Sequence, residues 1–223
     1  MMGTGMVKDM KYSTVIVAAG RGQRMNLGFN KVYAKLSDGR TILEHAMDIF
    51  MADDDCLQIT VVTDAEDYYH NVKGRWPGKI SITEGGDTRQ QSVSNGLDTV
   101  IAENVFIHDG ARPFLDKDSL ERLKKTMETE QAALLCVPTK DTIKVVIDGF
   151  ITETPDRNTL MNAQTPQAFR TSLLLDCMAK ARAEGFTGTD DTSLIERYSD
   201  VKVKAVEGSY SNIKITTPED LNK

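Results

Sequence analysis

The sequence predicts an α/β fold, a mostly parallel Rossmann-like sheet with helices on both faces. Three observations carry this. Short β-branched or apolar runs alternate with amphipathic stretches through the first two thirds of the 223 residues, the pattern of strands joined by crossover helices. Two of those runs break abruptly into glycine turns, Ala18-Ala19-Gly20-Arg21-Gly22 and Gly85-Gly86-Asp87, as strands do at the edge where open α/β sheets bind ligands. Near residue 148 an Asp-Gly pair between two β-rich runs interrupts the alternation, which marks a hairpin. The chain thus reads as a single domain over residues 1–223 with a protruding β-arm at about 139–161.

Composition narrows the classes. At 40% hydrophobic and 27% charged the chain can bury a sizeable core. No apolar run approaches the ~18 residues of a membrane span, and Met1–Lys8 lacks the apolar centre of a signal peptide, so it reads as a frayed extension. Cys56, Cys136 and Cys177 are far apart, which argues against disulfides or a zinc site and for a reduced, cytoplasmic setting. A formal charge of −6 disfavours nucleic acid as a partner. Any anionic ligand must therefore be held by a local cluster of cations.

The first strand, Thr14-Val-Ile-Val17, frees backbone N–H groups as it enters Ala18, Ala19 and Gly20, and Arg21, Arg24 and Lys31 bring cations to the same loop. The expected occupant is a polyphosphate. Neither a P-loop nor a dinucleotide fingerprint fits, because the glycine spacing is wrong for the first and Met25 stands where the second needs a small residue. Thr41-Ile-Leu-Glu44 has the form of a capping box and opens a helix. Asp53-Asp54-Asp55 ends that helix and enters the strand Gln58–Val62; it resembles a glycosyltransferase metal motif, but at the wrong end of the sheet, so a solvated turn is expected. His45 and His70 read as surface or structural residues.

The strand Ile80–Thr83 runs into Gly85-Gly-Asp-Thr-Arg89 and Ser92, groups that can read a nucleobase edge, with Asp87 a candidate N-cap for the helix through Leu97. Val105–His108 then delivers Asp109, Gly110 and Arg112 to the same edge. Asp109 can bind a metal ion or a sugar hydroxyl, and Arg112 a phosphate. His108 reads as core, since neighbours on a strand point to opposite faces. A helix over about Asp118–Glu130 and a strand Ala132–Val137 follow. Thr142–Ile147 and Phe150–Glu153 form the hairpin, which needs something to pack on, and a second copy of the chain is the economical choice. After the segment Ala163–Phe169, helices are expected from Thr171 to Glu184 and after Thr189-Asp-Asp191, a strand at Val201–Val206, and a helix start at Pro218.

The ordered set Ala18–Met25, Gly85–Arg89, His108-Asp-Gly-Ala-Arg-Pro113, Thr165-Pro-Gln167, Thr189-Asp-Asp191 and Asn212-Ile-Lys-Ile-Thr-Thr-Pro218 resembles the 2-C-methyl-D-erythritol 4-phosphate cytidylyltransferases of non-mevalonate isoprenoid biosynthesis. The resemblance covers residues 12–221. It implies a nucleotidyltransferase that joins CTP and methylerythritol phosphate with release of pyrophosphate and with Mg²⁺ as cofactor. It further implies that Arg24 and Lys31 stabilise the pentavalent state, while Arg157 and Lys214 orient the sugar phosphate. Ala18, Ala19, Gly20, Gly22, Gly86, Asp87, Ser92 and Gly110 would contact CTP. Asp109, Arg112, Thr142, Thr165 and Thr189 would line the sugar-phosphate site, with Asp109 a candidate metal ligand. The arm would clasp the partner of a homodimer, carrying Thr142 and Arg157 into the neighbour's site. The family pattern continues the last helix beyond Lys223, which implies weaker packing beneath Lys214. Ribitol 5-phosphate cytidylyltransferase is the alternative with the same fold, and a non-catalytic CTP-binding module is the alternative from another class.

Overall fold

The computed structural model describes residues 10–20, 28–72 and 78–222. Its first half alternates as expected: β1 (Tyr12–Val17), α1 (Ile42–Met51), β2 (Cys56–Val62), α2 (Ala65–Asn71), β3 (Ile80–Thr83), α3 (Arg89–Leu97) and β4 (Asn104–Asp109). There follow α4 (Lys117–Met127), β5 (Ala132–Pro138), the hairpin β6 (Val145–Ile147) and β7 (Phe150–Glu153), then β8 (Met161–Arg170), α5 (Thr171–Glu184), α6 (Thr192–Tyr198) and β9 (Lys204–Glu207). Seven strands form one sheet in the order β3-β2-β1-β4-β8-β5-β9. All neighbours are parallel except β8, which runs antiparallel to both β4 and β5.

From β1 the chain winds outward through β2 to β3, then α3 carries it back past β1 to β4. Opposite directions of travel with the same crossover hand place helices on opposite faces. Accordingly α1 and α3 lie on opposite faces. Ile16, Ile59, Val61 and Phe106 pack under α1, with α4 on the same side, against Met47, Phe50, Leu120 and Leu123. Val15, Val62, Val105 and Ile107 pack on the other face with Val93 and Leu97 of α3, Leu174 and Cys177 of α5, and Leu194 of α6. Each fully buried side chain of this size, such as Phe50, contributes about 1.5–3 kcal/mol. Gly96 lets α3 lie close, since a Cβ there would collide with Val15 and Val62. Val17 stands opposite Asp109 across the β1/β4 pair, so the point where strand order reverses lies between these two strand ends.

The capping box forms, with Glu44 N–H donating to Thr41 Oγ1 at 3.1 Å and Thr41 N–H to Glu44 Oε2 at 2.7 Å. The hairpin forms too: Asp148 and Gly149 both have positive φ, 51° and 83°, as a two-residue turn matching strand twist requires. Several expectations need correction. Thr88, not Asp87, caps α3, accepting from Gln91 N–H at 3.1 Å; both residue types suit the role and the register decides. Asp53 and Asp55 are not in a solvated turn. They lie at the end of the sheet expected, but Lys124 of α4 reaches both, at 3.0 and 2.7 Å, and Tyr12 Oη donates to Asp53 at 2.7 Å; a largely buried ammonium demands such partners. The α4 helix stops at Met127, β6 starts only at Val145, β9 is displaced to Lys204–Glu207, and Pro218–Asn222 is 3-10 rather than α. Beneath Lys214, Ile215 is fully buried and packs with Ala34, Ile42 and Leu221.

Candidate active site

A cavity of about 690 Å³ opens at the ends of β1 and β4. Of the predicted residues, Ala18, Ala19, Gly20, Lys31, Gly86, Asp87, Ser92, Asp109 and Lys214 line it. So do Thr88 and Arg89, from the glycine turn read as a nucleobase-reading segment, and Asn30, which the sequence did not single out. Gly110 and Arg112 sit directly behind. Gly110 N–H is committed to Val17 O at 2.9 Å, which ties β4 to β1, and Arg112 donates to Asn212 O at 2.7 Å.

Asp109 is the electrostatic centre. Its carboxylate meets Lys214 at 2.8 Å, Arg89 at 3.3 Å and Arg112 at 3.8 Å. Burial works against its charge, but Arg89, Lys214 and Arg112 outweigh burial and hold the carboxyl well below the usual range. Arg89 also pairs with the buried Asp191 at 2.8 Å. Burial alone would weaken the guanidinium, yet Asp191 and Asp109 keep it firmly protonated. Burial pushes the Asp191 carboxyl up, against the pull of Arg89. One buried acid and three cations thus join β4, the start of α3 and the C-terminal segment.

Around this centre the loops are tied down. Asn30 donates its amide to Ala18 O, and Lys31 Nζ to Ile215 O at 2.8 Å. Ser92 Oγ accepts from Gly86 N–H and donates to Thr88 O, both at 3.0 Å, so its proton is spent on shaping the glycine turn. His108 is buried, and burial lowers its pKa to about 4 despite a hydrogen bond to Arg112; it is core, as expected, and contacts Phe50 edge-on. The three cysteines are buried free thiols whose pKa burial raises.

Other predicted residues stand apart. Arg157 and Thr142 lie exposed on the arm, Arg157 donating to Lys140 O at 3.1 Å, and neither lines the cavity of its own chain. Thr189 is exposed beside Asp190, whose carboxylate holds Gln167, Thr192 and Ser193. Thr165 is buried and accepts from Asp109 N–H at 2.9 Å. Gly22 and Arg24 lie outside the described residues. Among the described residues no three His, Cys, Asp or Glu side chains form a metal cage, and no helix is long and apolar enough to cross a membrane.

Comparison with known proteins agrees with this geometry. The family model for 2-C-methyl-D-erythritol 4-phosphate cytidylyltransferase matches residues 12–223. An enzyme of that name from Caldanaerobacter subterraneus is 46% identical over 220 residues, covering 95% of this chain and 96% of the relative. Another, from Bacillus velezensis, is 43% identical over 218 residues, covering 95% and 93%. Among solved structures, the 4-diphosphocytidyl-2C-methyl-D-erythritol synthase of Anaerococcus prevotii superposes with a TM-score of 0.86 at 32% identity, covering 98% of this chain and 96% of that one. The Francisella tularensis cytidylyltransferase gives 0.82 at 31%, covering 95% and 96%. A match of this length at these identities shows that the chain belongs to the 2-C-methyl-D-erythritol 4-phosphate cytidylyltransferase family.

Proposed function

We propose that the chain transfers a cytidylyl group from CTP to 2-C-methyl-D-erythritol 4-phosphate. A phosphate oxygen of the sugar alcohol attacks the α-phosphorus of CTP, the bond from that phosphorus to the β-phosphate bridge breaks, and pyrophosphate leaves. The observation that carries this reading is the gathering of Lys31, Lys214 and Arg89 around one cavity at the β1/β4 switch point. The nucleophile is already anionic near neutral pH, so no general base is required. His108 could not serve as one, since both its ring nitrogens are engaged inside the core. Catalysis then consists of bringing two anions together and neutralising the charge that develops.

Within this reading Lys31, with Arg24, stabilises the pentavalent phosphorus, and Lys214 and Arg157 hold the sugar phosphate. Backbone at Ala18, Ala19, Gly20, Gly22 and Gly86, with Asp87, takes CTP, while Ser92 and Gly110 shape the walls. Asp109, Arg112, Thr142, Thr165 and Thr189 line the sugar-phosphate side. Arg157 and Thr142 would enter from the arm of a second copy, and the domain works as a homodimer. Mg²⁺ suits this donor set only as a companion of the triphosphate, since Mg²⁺ commonly takes one or two carboxylates plus substrate phosphates. Asp109 is the one buried carboxylate the cavity offers, and it already has cation partners. Bound with CTP, the ion would neutralise triphosphate oxygens.

The test is pyrophosphate release from CTP and Mg²⁺ with each of two acceptors. Faster turnover of methylerythritol phosphate than of ribitol 5-phosphate is expected. The reverse order would overturn the substrate assignment, and no release with either would overturn the reaction.

A further inference from the structure

Arg89 opens α3 and lines the cavity, and its place after the glycine turn is that of a nucleobase reader. The structure spends the guanidinium elsewhere. Nε donates to Asp109 Oδ1 at 3.3 Å, and Nη2 pairs with Asp191 Oδ2 at 2.8 Å. The Asp191 side chain is 2% exposed, and among the described residues Arg89 is its one cation. That aspartate is itself fixed, since its backbone N–H and that of Thr192 both donate to Gln167 Oε1, at 3.1 and 3.2 Å, and Gln167 stands opposite Ile107 in the β4/β8 pair. A planar guanidinium holds two acceptors in a fixed fork, whereas an ammonium is a point charge on a flexible stem. Arg89 is thus pinned on one acid and meets the other in one orientation.

On the cavity side, Lys214 Nζ donates to Asp109 Oδ2 at 2.8 Å. Arg89 and Lys214 therefore take one carboxylate oxygen each. Arg112 stands 3.8 Å from Oδ2, and its guanidinium is committed to Asn212 O at 2.7 Å, so it does not compete for Oδ1. Without Arg89 both Asp109 oxygens would be open to Lys214, and the ammonium would be drawn across the carboxylate. We infer that Arg89, anchored on Asp191, is a positioning residue for Lys214: by holding Asp109 Oδ1 it leaves Lys214 only Oδ2, and so sets where the ammonium stands for a phosphate of the substrate. The inference rests on the cytidylyltransferase reading and deepens it. Arg89 acts through Asp109 and Lys214, and the nucleobase is read by other groups.

Arg89→Lys keeps the charge and loses the fork. Losing a hydrogen bond to a charged group corresponds to roughly 10- to 100-fold, and a Lys214 that is displaced rather than deleted belongs at the lower end. KM for methylerythritol phosphate should therefore rise about tenfold in Arg89→Lys, with KM for CTP within about twofold of wild type. Because the effect passes through Lys214, adding Arg89→Lys to Lys214→Ala should change kcat/KM for the sugar phosphate by less than about twofold. A parallel rise in both KM values would return Arg89 to the nucleotide, wild-type KM values would show that charge alone suffices, and a full loss in the Lys214→Ala background would make Arg89 independent of Lys214. Each of these overturns the inference. If Arg89→Lys does not fold, Arg89→Gln combined with Asp191→Asn, which removes the buried acid together with its cation, takes its place with the same expectations. A wild type that releases no pyrophosphate would sink the reaction assignment instead. Titration with inorganic phosphate followed by ³¹P NMR then decides: weaker binding in Arg89→Lys than in wild type is expected, and equal binding would overturn the positioning role.

Discussion

The cleft between β1 and β4 and the arm at residues 139–161 are built on opposite principles. Among the described residues of the cleft, the charged groups at its centre are held by partners: Asp109 has three cations, Arg89 two carboxylates, and Lys31 the Ile215 carbonyl. On the arm, Val146, Ile147, Phe150 and Ile151 are 57–76% exposed, and the two strands form a sheet of their own. A two-stranded hairpin with an apolar surface is marginal alone in water. The described part of one region is therefore held by bonds within its own chain, and the other presents an apolar surface that needs a cover. This contrast supports the proposal that Arg157 and Thr142 act in the cleft of a second copy.

The comparison breaks most sharply at Lys31. If the cleft is preorganised for a pentavalent phosphorus, Lys31→Ala should lower the single-turnover rate by roughly 10²–10³-fold, the scale for losing one preorganised donor. A wild-type single-turnover rate would remove Lys31 from the chemical step. Arg157→Ala should cut kcat/KM for the sugar phosphate by about 10²-fold, on the scale of a charge-assisted pair, while the Kd for CTP in equilibrium titration stays within about twofold. Equal loss of CTP affinity would place Arg157 with the nucleotide.

Phe150→Asp tests the arm as a surface rather than as a carrier of charge. The side chain is 76% exposed, so the fold of the monomer should be nearly untouched and Tm little changed. Activity per mole at dilute protein should fall about tenfold, on the scale of burying one charge in place of an aromatic, and should recover as protein concentration rises. Activity independent of concentration, with a monomer in analytical ultracentrifugation, would separate the arm from function.

What could be read from the sequence was what local chemistry specifies. The run Thr14–Val17 into Gly20, the Thr41/Glu44 box and the Asp148-Gly149 turn each carry their signal within a few residues. The Asp109 strand end was legible for the same reason. What escaped depends on which strands become neighbours. Gln164-Thr-Pro-Gln167 does not look like strand, yet β8 runs through it between β4 and β5 because its polar groups are absorbed by His108, Asn212 and the start of α6. Likewise the pairing of Arg89 with Asp191, and of Lys124 with Asp53, joins residues that are remote along the chain. The Thr189-Asp-Asp191 motif was noticed, but not that its Asp191 would be buried and paired with Arg89 while Thr189 stays exposed.

The smallest expected effect sharpens the same contrast through pH. His108 has its pKa lowered from 6.5 to about 4 by burial. Between those values the unfolded chain takes up a proton that the folded chain refuses, so stability falls as pH falls, by at most about 1.4 kcal/mol per pH unit. Asp109 contributes in the same direction but in a lower window. Its folded pKa is depressed, so its contribution is complete above the ordinary carboxylate range and is lost only as pH drops through and below it. The decline between pH 6.5 and 4 that disappears in His108→Gln therefore belongs to the ring behind the cleft, and chemical denaturation of both proteins across that range measures it. Phe150→Asp, which alters only the arm, should leave this slope as it is in the wild type. An unchanged slope in His108→Gln would mean that the ring is not held neutral in the folded protein.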